Sequence, residues 1–322
     1  MSQRYLLIDT DTASDDAVAL IMALRSPEVK VVAITVVAGN VPVEQATSNA
    51  VYTVELCGAE VPVYAGSTGP LQRLLEIANW FHGEDGLGDH GLRPAARMPE
   101  TTDAVDAIIA AAKAHPGLEI VTLGPLTNLA RALEREPKLA ELVSRCVVMG
   151  GAPACEGNVT PAAEFNIWVD PEAARAVFLS ALPLELVGWQ LSRHDAVVNE
   201  DDIAKIAALK GSLAEFTLES NSTAKTAYFT QTGEHGISLP DPIAMAILLK
   251  PELSLRSSKH FLQIEAASEL TRGMTVVDVL GVSSDARNED LWAETRAQAQ
   301  PTVIHWELDV AGWKKLLLES LI

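Results

Sequence analysis

The sequence predicts an α/β fold. One large domain carries a mostly parallel, open and twisted sheet, with helices on both faces and a site at the C-terminal ends of the strands. Three observations lead there. Apolar runs of strand length alternate with segments of helical periodicity up to about Ser192. That rhythm is the mark of parallel strands buried under crossover helices. Polar segments recur directly behind the strand-like runs, where open α/β sheets bind their ligands: Asp9 to Asp16, Gly39-Asn40, "GPLTN" and "GGAPACEGNVTPAAEFN".

The elements follow in order. "RYLLIDT" reads as the first strand, and in "DDAVALIMALRS" Ala17, Leu20, Ile21 and Leu24 share one helical face. "VKVVAITVVAG" is a second buried strand, "PVEQATSNAVYTVELCG" a helix stopped by Gly58, and "VPVYAG" a short third strand. A helix over "TTDAVDAIIAAAKAH", the strand "LEIVTLG", a helix in "LTNLARALERE" and the strand "SRCVVMGG" come next. Asp170 caps the following helix, with Pro171 in its first position, and "LPLELVGW" is a further strand. From about 195 to 250 the chain is largely helical, an insertion near the site within a single domain spanning residues 1–322. Strands return at "HFLQIEA", "GMTVVDV" and "PTVIHWELD", and a helix over "AGWKKLLLESL" follows. Two long loops, roughly 66–100 and 150–169, are long enough to point to function.

Composition sets the outer bounds. The 322 residues are 48% hydrophobic and 21% charged, enough for a large core. No run approaches the roughly 18 apolar residues of a membrane helix, and the N-terminus reads as a strand rather than a signal peptide. A net charge of −19 repels nucleic acid and anionic lipid. It leaves room for a neutral substrate or a divalent cation. Cys57, Cys146 and Cys155 are odd in number and lack CxxC spacing. Together these features point to a reduced, cytoplasmic compartment.

The stretch "LLIDTDTASDDAVAL" sets Asp9, Asp11, Asp15 and Asp16 behind a buried strand. Like charges so close raise one another's pKa unless something offsets them. The positive end of the following helix relieves Asp15 and Asp16 by about 0.3–1 kcal/mol each, too little for four partly buried carboxylates. A hard divalent cation is the simplest remedy, and oxygen-only ligands favour Ca²⁺ or Mg²⁺ over zinc. The structural alternative is a helix cap at Asp11 or Ser14 with the other acids solvated. An apolar strand ending in Asp-x-Asp also resembles the start of the haloacid-dehalogenase-like phosphatases. That resemblance implies Asp9 as nucleophile and Mg²⁺ as cofactor. Ala13 stands where that family has Thr or Val, and "CVVMGGAP" lacks its acidic strand end.

An ordered set of motifs over nearly the whole chain is more specific. "DTDTASDD" is followed by "VVAGN", "HGEDGLGD", "GPLTNLA", "VVMGG", "EFNIWVDPEAA" and "DPIAMA". In this set the chain resembles the inosine–uridine nucleoside hydrolase family, with Thr12 and Ala13 in place of a Pro-Gly pair. The resemblance implies hydrolysis of ribonucleosides to ribose and free base, and assembly as a homodimer or homotetramer. It implies a Ca²⁺ held by Asp11, Asp16, the carbonyl of Thr127 and Asp241. Asp11 is then also the general base for a calcium-bound water. Asp15, Asn40, Asn158, Glu164 and Asn166 would hold the ribose hydroxyls, and Met149 and Phe165 would pack near the sugar or base.

One position departs from the family. Its best-known members place a His, and others a Trp, directly before the calcium-binding Asp; here it is Pro240. His82 and His235, both in Gly-containing loops, are candidates to replace the leaving-group donor, and Trp80 and Phe81 are candidates to stack on a base. Pro240 also keeps open a catalytically impaired riboside-binding protein of the same fold.

Overall fold

The computed structural model describes residues 3–93 and 95–322. Its strands are β1 (Arg4–Thr10), β2 (Val29–Val36), β3 (Val63–Ala65), β4 (Leu118–Thr122), β5 (Val143–Met149), β6 (Leu184–Val187), β7 (Ser254–His260), β8 (Leu262–Ile264), β9 (Thr275–Val277) and β10 (Thr302–Leu308). Eight form one sheet in the order β3-β2-β1-β4-β5-β6-β10-β7. Every pairing is parallel except β7 against β10. β8 and β9 make a separate antiparallel pair.

Side-chain alternation along β1 divides the core in two. Leu6 and Ile8 pack on the face covered by the helices Ser14–Arg25, Val43–Leu56 and Pro240–Leu249. Leu7 packs on the other face, beneath the helices Ala104–Ala114, Thr127–Arg135 and Pro171–Phe178. Asp9 shares the face of Leu7. This explains why the Asp-x-Asp pair behind β1 does not act as a unit. Asp9 Oδ1 accepts from Thr35 Oγ1 at 2.6 Å and Asn128 Nδ2 at 2.9 Å, and Asp9 is absent from the walls of the main pocket. The reading of Asp9 as a phosphatase nucleophile is therefore overturned.

The helix Pro240–Leu249 is buried along nearly its whole length and packs against Ser14–Arg25. Its last carbonyls are met by two arginines from the N-terminal ends of strands. Arg4 donates to Leu248 and Leu249, and Arg145 to Ile247 and Leu248. Each guanidinium also grips a carboxylate with two bonds, Arg4 on Glu119 and Arg145 on Glu185. Cations at this end suit both the orphan carbonyls and the helix dipole.

Asp170 caps its helix as the sequence indicates, accepting from Ala173 N at 3.0 Å with Pro171 following. Ala13, rather than Asp11 or Ser14, is the N-cap of Ser14–Arg25, and Asp16 Oδ2 reaches back to accept from Ala13 N at 2.9 Å. β7 carries the polar sequence "SLRSSKH" on a mostly exposed edge and has no apolar run to reveal it. The helix Glu289–Gln298 buries little and is equally unmarked. Among the described residues no helix is long and apolar enough to cross a membrane.

Candidate active site

The strand order reverses at β1. The chain leaves β1 for β2 on one side and reaches β4 on the other. A crevice opens at such a switch point, beyond the carboxyl ends of the strands. A pocket lies there, walled by residues from the turns behind β1, β2, β4, β5 and β6.

Its floor is acidic. Asp15, Asp16 and Asp241 each bring a carboxylate oxygen within 4.8 Å of the others. Asp15 and Asp241 line the pocket. Asp16 is held from below, accepting from Thr10 Oγ1 at 2.5 Å and Ala13 N at 2.9 Å. Asp11 is fully buried beside this trio. Its Oδ2 accepts from Asn40 N at 2.6 Å, while its Oδ1 has no partner. Two glycines leave room for that carboxylate: a Cβ on Gly39 would stand 2.1 Å from Oδ2, and one on Gly124 2.6 Å from Oδ1. Asp15 Oδ1 is likewise buried and unpaired.

Burial pushes all of these carboxyls up. Asp15 rises to about 8 through desolvation and the charge of Asp16. Asp11 rises through desolvation and Asp16, and Asp241 through desolvation and Asp15. No Lys or Arg is among the described residues that line the pocket. Unpaired oxygens, an oxygen-only donor set and crowded acids with no basic side chain on the wall fit a hard divalent cation. The trio with the closest oxygens contains Asp15 where the sequence points to Asp11. Thr127 is not on the pocket wall, and its hydroxyl donates to Asp170 at 2.6 Å. From the same turn, Leu123 lines the pocket.

One wall carries amides and a carboxylate. Glu164 caps the short helix Phe165–Val169, accepting from Asn166 N at 2.9 Å and Gly151 N at 2.7 Å. Burial outweighs those bonds and pushes its carboxyl up to about 7. Asn166 Nδ2 donates to the carbonyl of Leu123 at 2.7 Å. Asn158 Oδ1 accepts from Phe165 N at 2.9 Å, which ties the loop to the helix start. Asn40, Met149, Asn158, Glu164, Phe165 and Asn166 all line the pocket.

The far end is aromatic. Trp80, Phe81 and His82, from the four-residue helix Asn79–His82, reach the wall together with Trp189. Trp80 is 56% exposed and stands at the mouth. His82 is buried, with Nδ1 2.8 Å from Ser14 Oγ, and desolvation pushes its pKa down to about 3. The imidazole is neutral at physiological pH, so it can offer a hydrogen bond but not a charge. His235 is not brought to the pocket: it is exposed and stacked on Phe229, with ring centroids 4.3 Å apart. The expectation that it serves there is corrected, because the preceding helix Ser222–Thr232 ends at Gly233 and carries the next turn outward. Cys155 lies in a neighbouring groove, its thiol pushed up to about 11 by burial.

Trp189, Gln231 and Ser238 line the pocket without having been singled out in the sequence. Trp189 had a signal, since it falls directly behind the strand-like run "LPLELVG". Gln231 had none, because helix packing brings it in; Ser238 lies three residues before Asp241 in the stretch leading to the last helix of the site.

Fold and site together define an α/β enzyme with a small-molecule pocket at the switch point of its sheet and an acidic cluster that could hold a metal ion. The profile described as inosine–uridine preferring nucleoside hydrolase matches residues 6–309, and the chain belongs to that family. It is 37% identical to the pyrimidine-specific ribonucleoside hydrolase RihA of Shewanella woodyi, over 99% of this chain and 98% of that one. It is 36% identical to RihB of Escherichia coli, also named pyrimidine-specific, over 89% and 91% of the two chains. The structure of a plant nucleoside hydrolase superposes with a TM-score of 0.90 at 31% identity, covering 99% of both chains.

Proposed function

We infer that the chain hydrolyses the N-glycosidic bond of ribonucleosides, releasing ribose and the free base, with Ca²⁺ as its metal. The observation that carries this reading is one pocket in which an acidic floor meets a wall of amides and a carboxylate suited to sugar hydroxyls. Cleavage of the bond builds positive charge on the ribose ring. The carboxylates of Asp15, Asp16 and Asp241 stabilise that charge as it forms.

The residues that would hold the cation are Asp11, Asp16 and Asp241, with the backbone oxygen of Leu123 in the place first given to Thr127. When bound, the ion supplies a Lewis acid that eases deprotonation of the attacking water. Asp11 Oδ1, left without a partner, accepts that proton. Asp15, Asn40, Asn158, Glu164 and Asn166 grip the ribose hydroxyls and turn binding energy into alignment of the anomeric carbon. Met149 and Phe165 pack against the sugar, and Trp80 and Phe81 flank the base. His82 donates a hydrogen bond to the departing base, a part that Pro240 has no N–H to play.

The base is a pyrimidine in this reading, by likeness to the relatives named pyrimidine-specific. Assembly as a homodimer or homotetramer and residence in the cytoplasm belong to the same proposal; light scattering tests the first and fractionation the second. The deciding experiment is base release from a panel of uridine, cytidine, inosine and adenosine, with and without Ca²⁺. Pyrimidine release that stops on chelation and in Asp11→Ala supports the reading. Turnover that survives both treatments sinks the metal and base assignments. Tight binding without turnover would return the binding-only alternative.

A further inference from the structure

Ser14 is the first residue of the helix Ser14–Arg25 and is fully buried. Its hydroxyl lies 2.8 Å from His82 Nδ1. Among the described residues that hydroxyl has no other partner, and no solvent reaches it. Asp15 Oδ1, the other polar atom near this nitrogen, is 3.9 Å away, beyond hydrogen-bond reach.

Two arrangements are open. In one, Nδ1 carries the hydrogen and donates to Ser14, so the serine proton is left buried with no acceptor. In the other, Ser14 donates to a bare Nδ1, so no buried proton is left without an acceptor. Leaving a buried donor unmade is the costlier error, so the second arrangement holds. The imidazole hydrogen is then on Nε2. That atom makes no bond with the chain and is not among the buried unpaired atoms. His82 lines the pocket, so Nε2 is the ring nitrogen open to it. Phe81 packs against the ring with centroids 4.9 Å apart, and the His82 backbone carbonyl accepts from Gly88 N at 2.9 Å.

We propose that Ser14 is a positioning residue that fixes His82 as the Nε2–H tautomer and so presents a neutral N–H donor to the departing base. This rests on the reading of His82 as the base's hydrogen-bond partner. It deepens that reading by naming what sets the donor: a side chain in the acidic motif itself that touches neither metal nor sugar.

The test uses the Ca²⁺-loaded full chain labelled with ¹⁵N-histidine, with His82→Asn identifying the His82 signals. In the wild type, Nδ1 should read as the bare nitrogen and Nε2 as the protonated one. Ser14→Ala should lose that single tautomer, and Ser14→Thr, which keeps a hydroxyl, should retain it. In parallel, kcat on uridine should fall roughly tenfold or more in Ser14→Ala, a part of the roughly 10²–10³-fold that a preorganised donor contributes. KM should change little, and p-nitrophenyl riboside, whose leaving group needs no donor, should be turned over nearly as before. A wild-type ring protonated on Nδ1, or an unchanged tautomer in Ser14→Ala, overturns the proposal without any kinetics. Equal losses on both substrates also overturn it, since they mark a merely structural role. Full activity in His82→Ala would instead sink the reading of His82, while leaving the tautomer result standing.

Discussion

Gly39 stands against Asp11 so closely that an added Cβ would lie 2.1 Å from its Oδ2. Backbone from the end of β2 and a carboxylate from the end of β1 share a space that admits no methyl group. Gly39→Ala must therefore move Asp11. The expected result is a loss of kcat/KM of about 100-fold or more, as misplacement of a reacting group costs, with the fold intact by circular dichroism. Gly211→Ala, whose nearest neighbour would be 3.8 Å away, is the control and should behave as wild type.

The acidic cluster predicts a large response to metal. Ca²⁺ at about 100 times its Kd should stabilise the chain by about 2.7 kcal/mol, read as a rise in Tm by scanning calorimetry. Asp16→Asn removes a charge from the trio and should abolish most of that rise. A Tm indifferent to Ca²⁺ in the wild type would deny the cluster its role.

Acid stability should depend on Glu185. Burial works against its ionisation, but hydrogen bonds from His305 and Arg145 and the Arg145 charge outweigh it and hold the carboxyl at about 2, below its ordinary 4.5. A depressed carboxyl stabilises the fold above its unfolded pKa and loses that contribution as pH falls from about 4.5 to about 2. The full shift corresponds to roughly 3 kcal/mol. Urea unfolding of Glu185→Gln should show a deficit of that order at pH 7 that shrinks steadily below pH ~4. A deficit independent of pH would contradict the linkage.

The two histidines raised by the sequence should separate cleanly. His82→Ala should cost about 100-fold in kcat on pyrimidine nucleosides. His235→Ala, outside the pocket and stacked on Phe229, should leave steady-state kinetics unchanged.

Much of this site was legible because its parts follow strands. Asp11 to Asp16, Asn40 and the segment from Asn158 to Asn166 each stand behind an apolar run, and the topology rule carries them to one edge of the sheet. Asp9 shows the limit of that reasoning. A single residue's alternation turns it to the opposite face, where Thr35 and Asn128 hold its Oδ1. Thr127 begins a helix off the pocket wall and spends its hydroxyl on Asp170. Gln231 was invisible since the packing of the helix Ser222–Thr232, not a motif, delivers it, whereas Ser238 rides in on the short stretch that leads to Asp241. β7 was hidden because an exposed edge strand carries no apolar signature.

The arginine grip on the helix Pro240–Leu249 has its own consequence. Ten residues of helix span about 15 Å, with Asp241 at one end and the carbonyls held by Arg4 and Arg145 at the other. The helix is a strut, anchored at the base of the molecule and loaded at its tip. A random screen for inactive variants should therefore return both arginines, although they hold the far end of the helix from Asp241.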